Sequence, residues 1–195
     1  MLSKIIAVPL AIGGLFFLYM TWEVDTDYAL YIIPFAVLGA IVFTFSPQID
    51  WWWYHRNPPE LEGPIRKLLS DHLAYYTQLS VQNKKLFRER MALYIRAQDF
   101  SPMVLDNFPD DLKAIIAAQA VQIGFGQGEF LFAPYEHLIL YPEAFPSPQY
   151  PVHRHSTEHF EEDGVLMFSA RHLMNGFLYP KSYLPIGLYE FARLY

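Results

Sequence analysis

Two uncharged, strongly apolar runs occupy most of the first forty-five residues, Ile5–Trp22 and Tyr28–Phe45. Each spans 18 residues, about 27 Å of helix at 1.5 Å per residue, close to the hydrocarbon thickness of a bilayer. A cleaved signal peptide or the buried helices of a soluble core are the competing explanations. The first run, however, lacks a small-residue cleavage region and ends in Tyr19-Met20-Thr21-Trp22 ahead of an acidic turn. A second apolar run begins only five residues later. Trp22, Tyr28 and Trp51-Trp52-Trp53-Tyr54 sit where interfacial aromatic belts belong. The reading is a transmembrane hairpin over residues 1–50, with helices at about 5–22 and 28–45.

Charge orients it. The turn Glu23-Val24-Asp25-Thr26-Asp27 carries only acidic charges, Lys4 precedes the first helix, and Arg56, Arg66 and Lys67 follow the second. The positive-inside rule then places both chain ends and the globular part in the cytoplasm, with the hairpin in a bacterial inner membrane. Pro9 and Pro34 are tolerable within membrane helices. Gly13-Gly14 and Gly39 would let the two helices pack closely, or mark where a partner helix docks.

Residues 51–64 form an interfacial segment and linker, ending in the helix-breaking Asn57-Pro58-Pro59-Glu60-Leu61-Glu62-Gly63-Pro64. Residues 65–195 suffice for one modest core. The chain's net charge is −6, with no basic stripe and no aromatic-interleaved Lys/Arg cluster, which disfavours a nucleic-acid partner. It has no cysteine, so disulfide and thiol chemistry are excluded.

Along this domain the apolar period predicts an amphipathic helix over 65–79. A second helix runs from a cap at Asn83 to Gln98. Pro109-Asp110-Asp111 opens a third, whose Ile115, Ile116, Ala118, Ala120 and Ile123 make it apolar nearly all round and therefore central. Gly124-Phe125-Gly126-Gln127-Gly128 ends that helix. It is no phosphate loop, since no G-K-[ST] follows it. Phe130–Phe132, Leu138–Tyr141 and Val165–Phe168 read as three short strands, and Arg171–Phe177 and Ile186–Leu194 as helices. The predicted fold is α+β.

Three constellations could carry chemistry. His153, His155, Glu158, His159, Glu161 and Glu162 crowd together after a bend rich in proline (Pro146, Pro148, Pro151). On a helix, His155 and His159 would share a face as metal ligands; as a solvated loop between strands they would do nothing specific. The cluster Phe87-Arg88-Glu89-Arg90 with Arg96 could meet an acidic partner, or form a solvated helix face.

The third is Leu188-Tyr189-Glu190-Phe191-Ala192-Arg193. In an H-E-x-x-H helix, two histidines four residues apart bind zinc while the Glu takes a proton from the metal-bound water. Here the Glu position is kept as Glu190, but Tyr189 and Arg193 stand where the ligands would be. A phenol is a poor zinc ligand near neutral pH, and a guanidinium has no lone pair to give. The chain ends at Tyr195, which leaves no downstream third ligand. Glu190 paired with Arg193 is the expected arrangement, the cation replacing the charge of the metal.

Five blocks, in order, resemble the MtfA-like (glucose-regulated) zinc metallopeptidases. Lys85–Arg90 with Leu93-Tyr94-Ile95 is similar to that family's F-x-x-R-V-x-x-F-L helix, and Ile115–Ala120 to its I-A-A-x-A helix. Ile139–Phe145 resembles its I-L-V-Y-P-x-x-F strand, Gly164–Ser169 with Gly176 its G-x-V-x-L-S-W…G block, and Leu184–Leu188 the segment before its first His. The resemblance implies a truncated zincin-like domain behind the hairpin. With the ligand positions lost, it implies a catalytically inactive accessory or scaffolding subunit of an inner-membrane complex, with no cofactor and with other integral membrane proteins and the bilayer as partners. One alternative is a zinc peptidase using His153, His155 or His159 with Glu190 as base, or with a chain continuing past Tyr195. Another, suggested by the anti-repressor role of MtfA, is a regulator that sequesters a transcription factor.

Overall fold

The computed structural model describes residues 2–128, 130–147, 149–150 and 152–194. Pro148 and Pro151 of the expected bend, and the terminal Tyr195, lie outside them. The chain divides into two compact units, residues 1–57 and 58–195.

In the first unit, α1 (Leu2–Glu23) and a second helical stretch are long and apolar enough to cross a membrane. The second stretch opens as a 3-10 turn (Thr26–Tyr31) and continues as α2 (Ile32–Thr44). Asp25 caps the 3-10 turn by accepting from the Asp27 N–H. Neither helix buries any of its 18-residue apolar window within the described chain. Phe17 stacks on Tyr31 and meets Phe35, and Phe35 lies directly against Gly13, whereas a Cβ on Gly39 would meet nothing within 4 Å. The short α3 (Ser46–Arg56) then carries the tryptophans, with the Arg56 guanidinium 4.3 Å from the centre of the Trp52 ring.

The second unit is α+β. Its helices are α4 (Gly63–His72), α5 (Ala74–Gln78), α6 (Val81–Ala97), α7 (Asp110–Gly124), α8 (Ala170–Leu178) and α9 (Ile186–Leu194). Its strands are β1 (Asp99–Pro102), β2 (His137–Tyr141), β3 (Phe145–Pro146), β4 (Arg154–His155), β5 (Thr157–Phe160) and β6 (Val165–Ser169). The main sheet has the order β1-β2-β6-β5, with β1, β2 and β6 parallel and β5 antiparallel to β6; β3 and β4 pair separately.

The helix α7 is the central element. Leu112, Ala114–Ala118, Ala120 and Val121 are all buried, and α4, α6, α8 and α9 pack around it. Its small alanines let these neighbours close in on every side. At one contact α9 presents Gly187 to the Gln119 amide so closely that any Cβ would overlap it. On the α6 side, Arg90 donates to the Phe125 carbonyl (2.8 Å) just past the end of α7, and its guanidinium lies over the Phe125 and Phe130 rings.

Four local expectations are corrected. The helix over 65–79 breaks at Leu73, which is extended; the break turns α5 so that the successive residues Tyr75 and Tyr76 both meet Phe87. The cap of α6 is Ser80, whose hydroxyl accepts from the Asn83 N–H (3.3 Å); Asn83 itself lies inside the first turn. Phe130–Phe132 is not a strand: Phe132 plugs the core through its side chain, 5.0 Å from the Phe191 ring centre, instead of joining a ladder. The histidine-rich segment contributes strands β4 and β5, because Asp163-Gly164 turns Thr157–Phe160 back against Val165 with Gly164 at φ +63°.

Two predictions follow from this packing. Gly187→Ala is expected to push α9 off α7 and lower stability by about 1–3 kcal/mol, read from denaturant midpoints in detergent. Tyr94 is wholly buried, its hydroxyl has no hydrogen-bond partner among the described residues, and burial pushes its phenol well above the ordinary value. The folded state therefore holds that proton more tightly than the unfolded chain. Stability is full below about pH 10 and falls as pH rises beyond it. Tyr94→Phe should raise neutral-pH stability by about 1 kcal/mol and flatten the alkaline decline.

Candidate functional site

The local sequence sets the angle of α9. Pro185 precedes its first turn, and Gly187, Phe191 and Glu190 face inward while Tyr189 and Arg193, four residues apart, share the outer face. Phe191 is fully buried among Tyr94, Phe132 and Phe168. That anchor carries the neighbouring Glu190 carboxylate to 1% exposure.

A buried carboxylate needs partners, and Glu190 has two. Arg193 Nη1 donates to Oε1 at 3.2 Å, and His159 Nδ1 lies 3.0 Å from Oε2. An ionised carboxylate only accepts, so the proton sits on Nδ1 of His159. The Arg193 side chain is 50% exposed, and its guanidinium carbon lies 5.6 Å from the centre of the Tyr189 ring. Its stem spans from water to the buried carboxylate. Tyr135 closes the fourth side, edge-on to His159 at 5.9 Å. Burial, reinforced by the charges of Glu161 and Glu190, raises its phenol above the ordinary range, with Arg193 opposing.

The expected pairing of Glu190 with Arg193 is thus present as a contact. The three histidines do not gather. His153 is exposed in a turn; His155 lies on β4 opposite Phe145, its Nε2 buried without a partner; His159 lies on β5. On strands in two different sheets, a four-residue spacing no longer means a shared face. Glu158 points to the other side of β5 from His159, where it accepts from the Ser147 hydroxyl (2.5 Å). Glu161 and Glu162 are exposed in the β5–β6 turn.

The donor set was tested against a zinc ion. Tyr189 is a half-exposed phenol, Arg193 a cation, and both oxygens of Glu190 are engaged. Among the described residues no three His, Asp or Glu side chains come together as ligands. These residues do not fit a zinc site. Sequence reading placed His159 among loose loop histidines and passed over Tyr135. The signal that would have placed His159 is the hairpin, two short apolar-containing runs around Asp163-Gly164.

The helix α9 and the antiparallel strand β5 thus bring Glu190 and His159 together. The chain belongs to the glucose-regulated metallo-peptidase M90 family, whose model matches residues 50–193. An uncharacterized protein of Synechocystis sp. is 24% identical over 120 residues, covering 58% of this chain and 42% of that relative. The chain therefore spans less than half the length of that protein. No solved structure gives a significant match.

The site generates a double-mutant prediction. His159→Ala and Arg193→Ala should each cost about 1–3 kcal/mol by leaving the Glu190 carboxylate under-paired. The Arg193 figure falls at the lower end because half of that side chain is in water. In a Glu190→Gln background both losses should shrink towards zero, the coupling being read from denaturation midpoints.

Proposed function

We propose that this protein is a membrane-anchored member of its family that has given up zinc hydrolysis and works as a protein-binding accessory or scaffolding subunit of an inner-membrane complex. The observation that carries this reading is the Glu190 carboxylate, buried and held by Arg193 and His159. To act as a base toward water, it would need a free oxygen facing the reacting centre. It would also need a metal to bring the water's pKa down. A peptidase fold relieved of that chemistry keeps its recognition surfaces. One is the outer edge of β5, at the end of the sheet and beside α9, where a partner's extended segment can add a strand. In this reading the two apolar helices anchor the chain, and the charges flanking them support a cytoplasmic side for the globular unit.

The test uses full-length protein extracted gently from its own membrane, with metal content and bound proteins measured on the same sample. Sub-stoichiometric zinc together with a reproducible set of co-purifying membrane proteins is the expected result. One firmly held zinc per chain would overturn the reading, and a soluble DNA-binding protein as the main partner would make it a regulator instead.

A further inference from the structure

Charge is segregated along the second unit. Between Pro58 and Gln98 there are seven Lys and Arg against four Asp and Glu, a net of +3; from Asp99 to Tyr195 there are five against twelve, a net of −7. The fold gathers part of the basic excess in one place. Arg66 of α4 and Lys85 and Arg88 of α6 line a polar cleft of about 360 Å³, together with the carboxylates of Glu60 and Glu89 and the linker prolines Pro58 and Pro59. Arg88 is pinned there by donating to the Tyr76 hydroxyl (2.7 Å), and Lys84 sits over the Tyr76 ring. Lys85 has a long 3.8 Å pairing with Glu89, while Arg66, Lys67 and Lys84 have no ion-pair partner among the described residues. The cleft begins at Pro58, two residues after α3, whose Trp52 and Trp53 are exposed.

From this arrangement we infer that the face formed by α4 and the start of α6 docks on anionic lipid headgroups, with a phosphate seated between Arg66, Lys85 and Arg88. Three cations on two helices form the type of fork that recognises a phosphodiester. Cations immediately beyond a membrane segment are held by the negative surface potential of a bilayer. The acidic remainder of the unit is repelled by the same surface. The globular unit is thus oriented with its α4–α6 side toward the headgroups. The inference rests on the membrane placement proposed above and is independent of the loss of hydrolysis.

The absence of cysteine makes the test direct. Gln82→Cys, exposed on α6, takes a single fluorophore, and Glu162→Cys in the β5–β6 turn serves as the distant control. Each full-length protein is placed in nanodiscs carrying headgroup-spin-labelled lipid, made of phosphatidylcholine alone or with phosphatidylglycerol. Quenching at position 82 is expected to rise severalfold with the anionic lipid. It should collapse near 1 M salt, where screening reaches about 3 Å, and in the variant Arg66→Glu, Lys67→Glu, Lys84→Glu, Lys85→Glu. The milder Arg66→Gln, Lys67→Gln variant should lose part of it, and position 162 should stay unquenched. Equal quenching in both lipids, quenching at 162 instead of 82, or abolition by inorganic phosphate at matched ionic strength would each overturn the lipid assignment. Failure of the chain to enter nanodiscs at all would overturn the membrane placement beneath it.

Discussion

Everything in the globular unit is arranged around α7, a helix buried on all sides. Such a helix cannot present one apolar stripe to a core. It must instead be narrow enough for neighbours to approach from every direction, and its Ala114, Ala117, Ala118 and Ala120 make it so. The closest approach is that of α9, where Gly187 lies against Gln119. This contact fixes the depth of α9, the depth places Phe191 in the core, and Phe191 carries Glu190 to its buried position. The candidate site is therefore a consequence of helix packing several residues away from it.

Once Glu190 is buried, electrostatics dictates its neighbours. An ionised carboxylate out of water demands positive charge or strong donors nearby. A divalent metal between two histidines would be one solution; a guanidinium and an imidazole N–H are another. Arginine suits the second because its charge is permanent and its long stem can leave the head partly hydrated. The Tyr189 ring beneath the guanidinium supports this placement through its π face. Tyr189 and Arg193 thus act together, one supplying a surface and the other the cation that rests on it.

How much of this was legible beforehand varied with the physical basis of each signal. α1, α2, α6, α7 and α9 are long or strongly patterned, and sequence period reveals such elements directly. β2 and β6 are interior strands with continuous apolar runs, and they too were readable. The elements that escaped are edges. β1 offers only Phe100 as a large apolar residue and ends in Pro102, which an edge strand tolerates and an interior strand does not. β5 reads as polar because one side of it faces Glu190 and the other Ser147. Phe130–Phe132 errs the other way, since apolar residues plug a core from a loop as effectively as from a strand. The site was half legible: the motif located Glu190 and Arg193, but His159 and Tyr135 arrive from elsewhere in the chain, and only the fold brings them in.

The first unit is closed by one polar contact between its beginning and its end. Asp50 of α3 accepts from both the backbone N–H and the hydroxyl of Ser3, at 2.9 and 3.0 Å. The carboxylate thereby satisfies donors at the start of α1, where the helix dipole favours negative charge. This bond brings the chain back, after two membrane-length helices, to the end from which it set out. Lys4 and the α3 segment leading to Arg56 belong to that end, while Glu23, Asp25 and Asp27 lie a full α1 away, about 33 Å at 1.5 Å per residue. A hairpin closed in this way keeps its basic and acidic ends apart by geometry as well as by sequence. That separation of charge is the pattern the positive-inside rule acts upon.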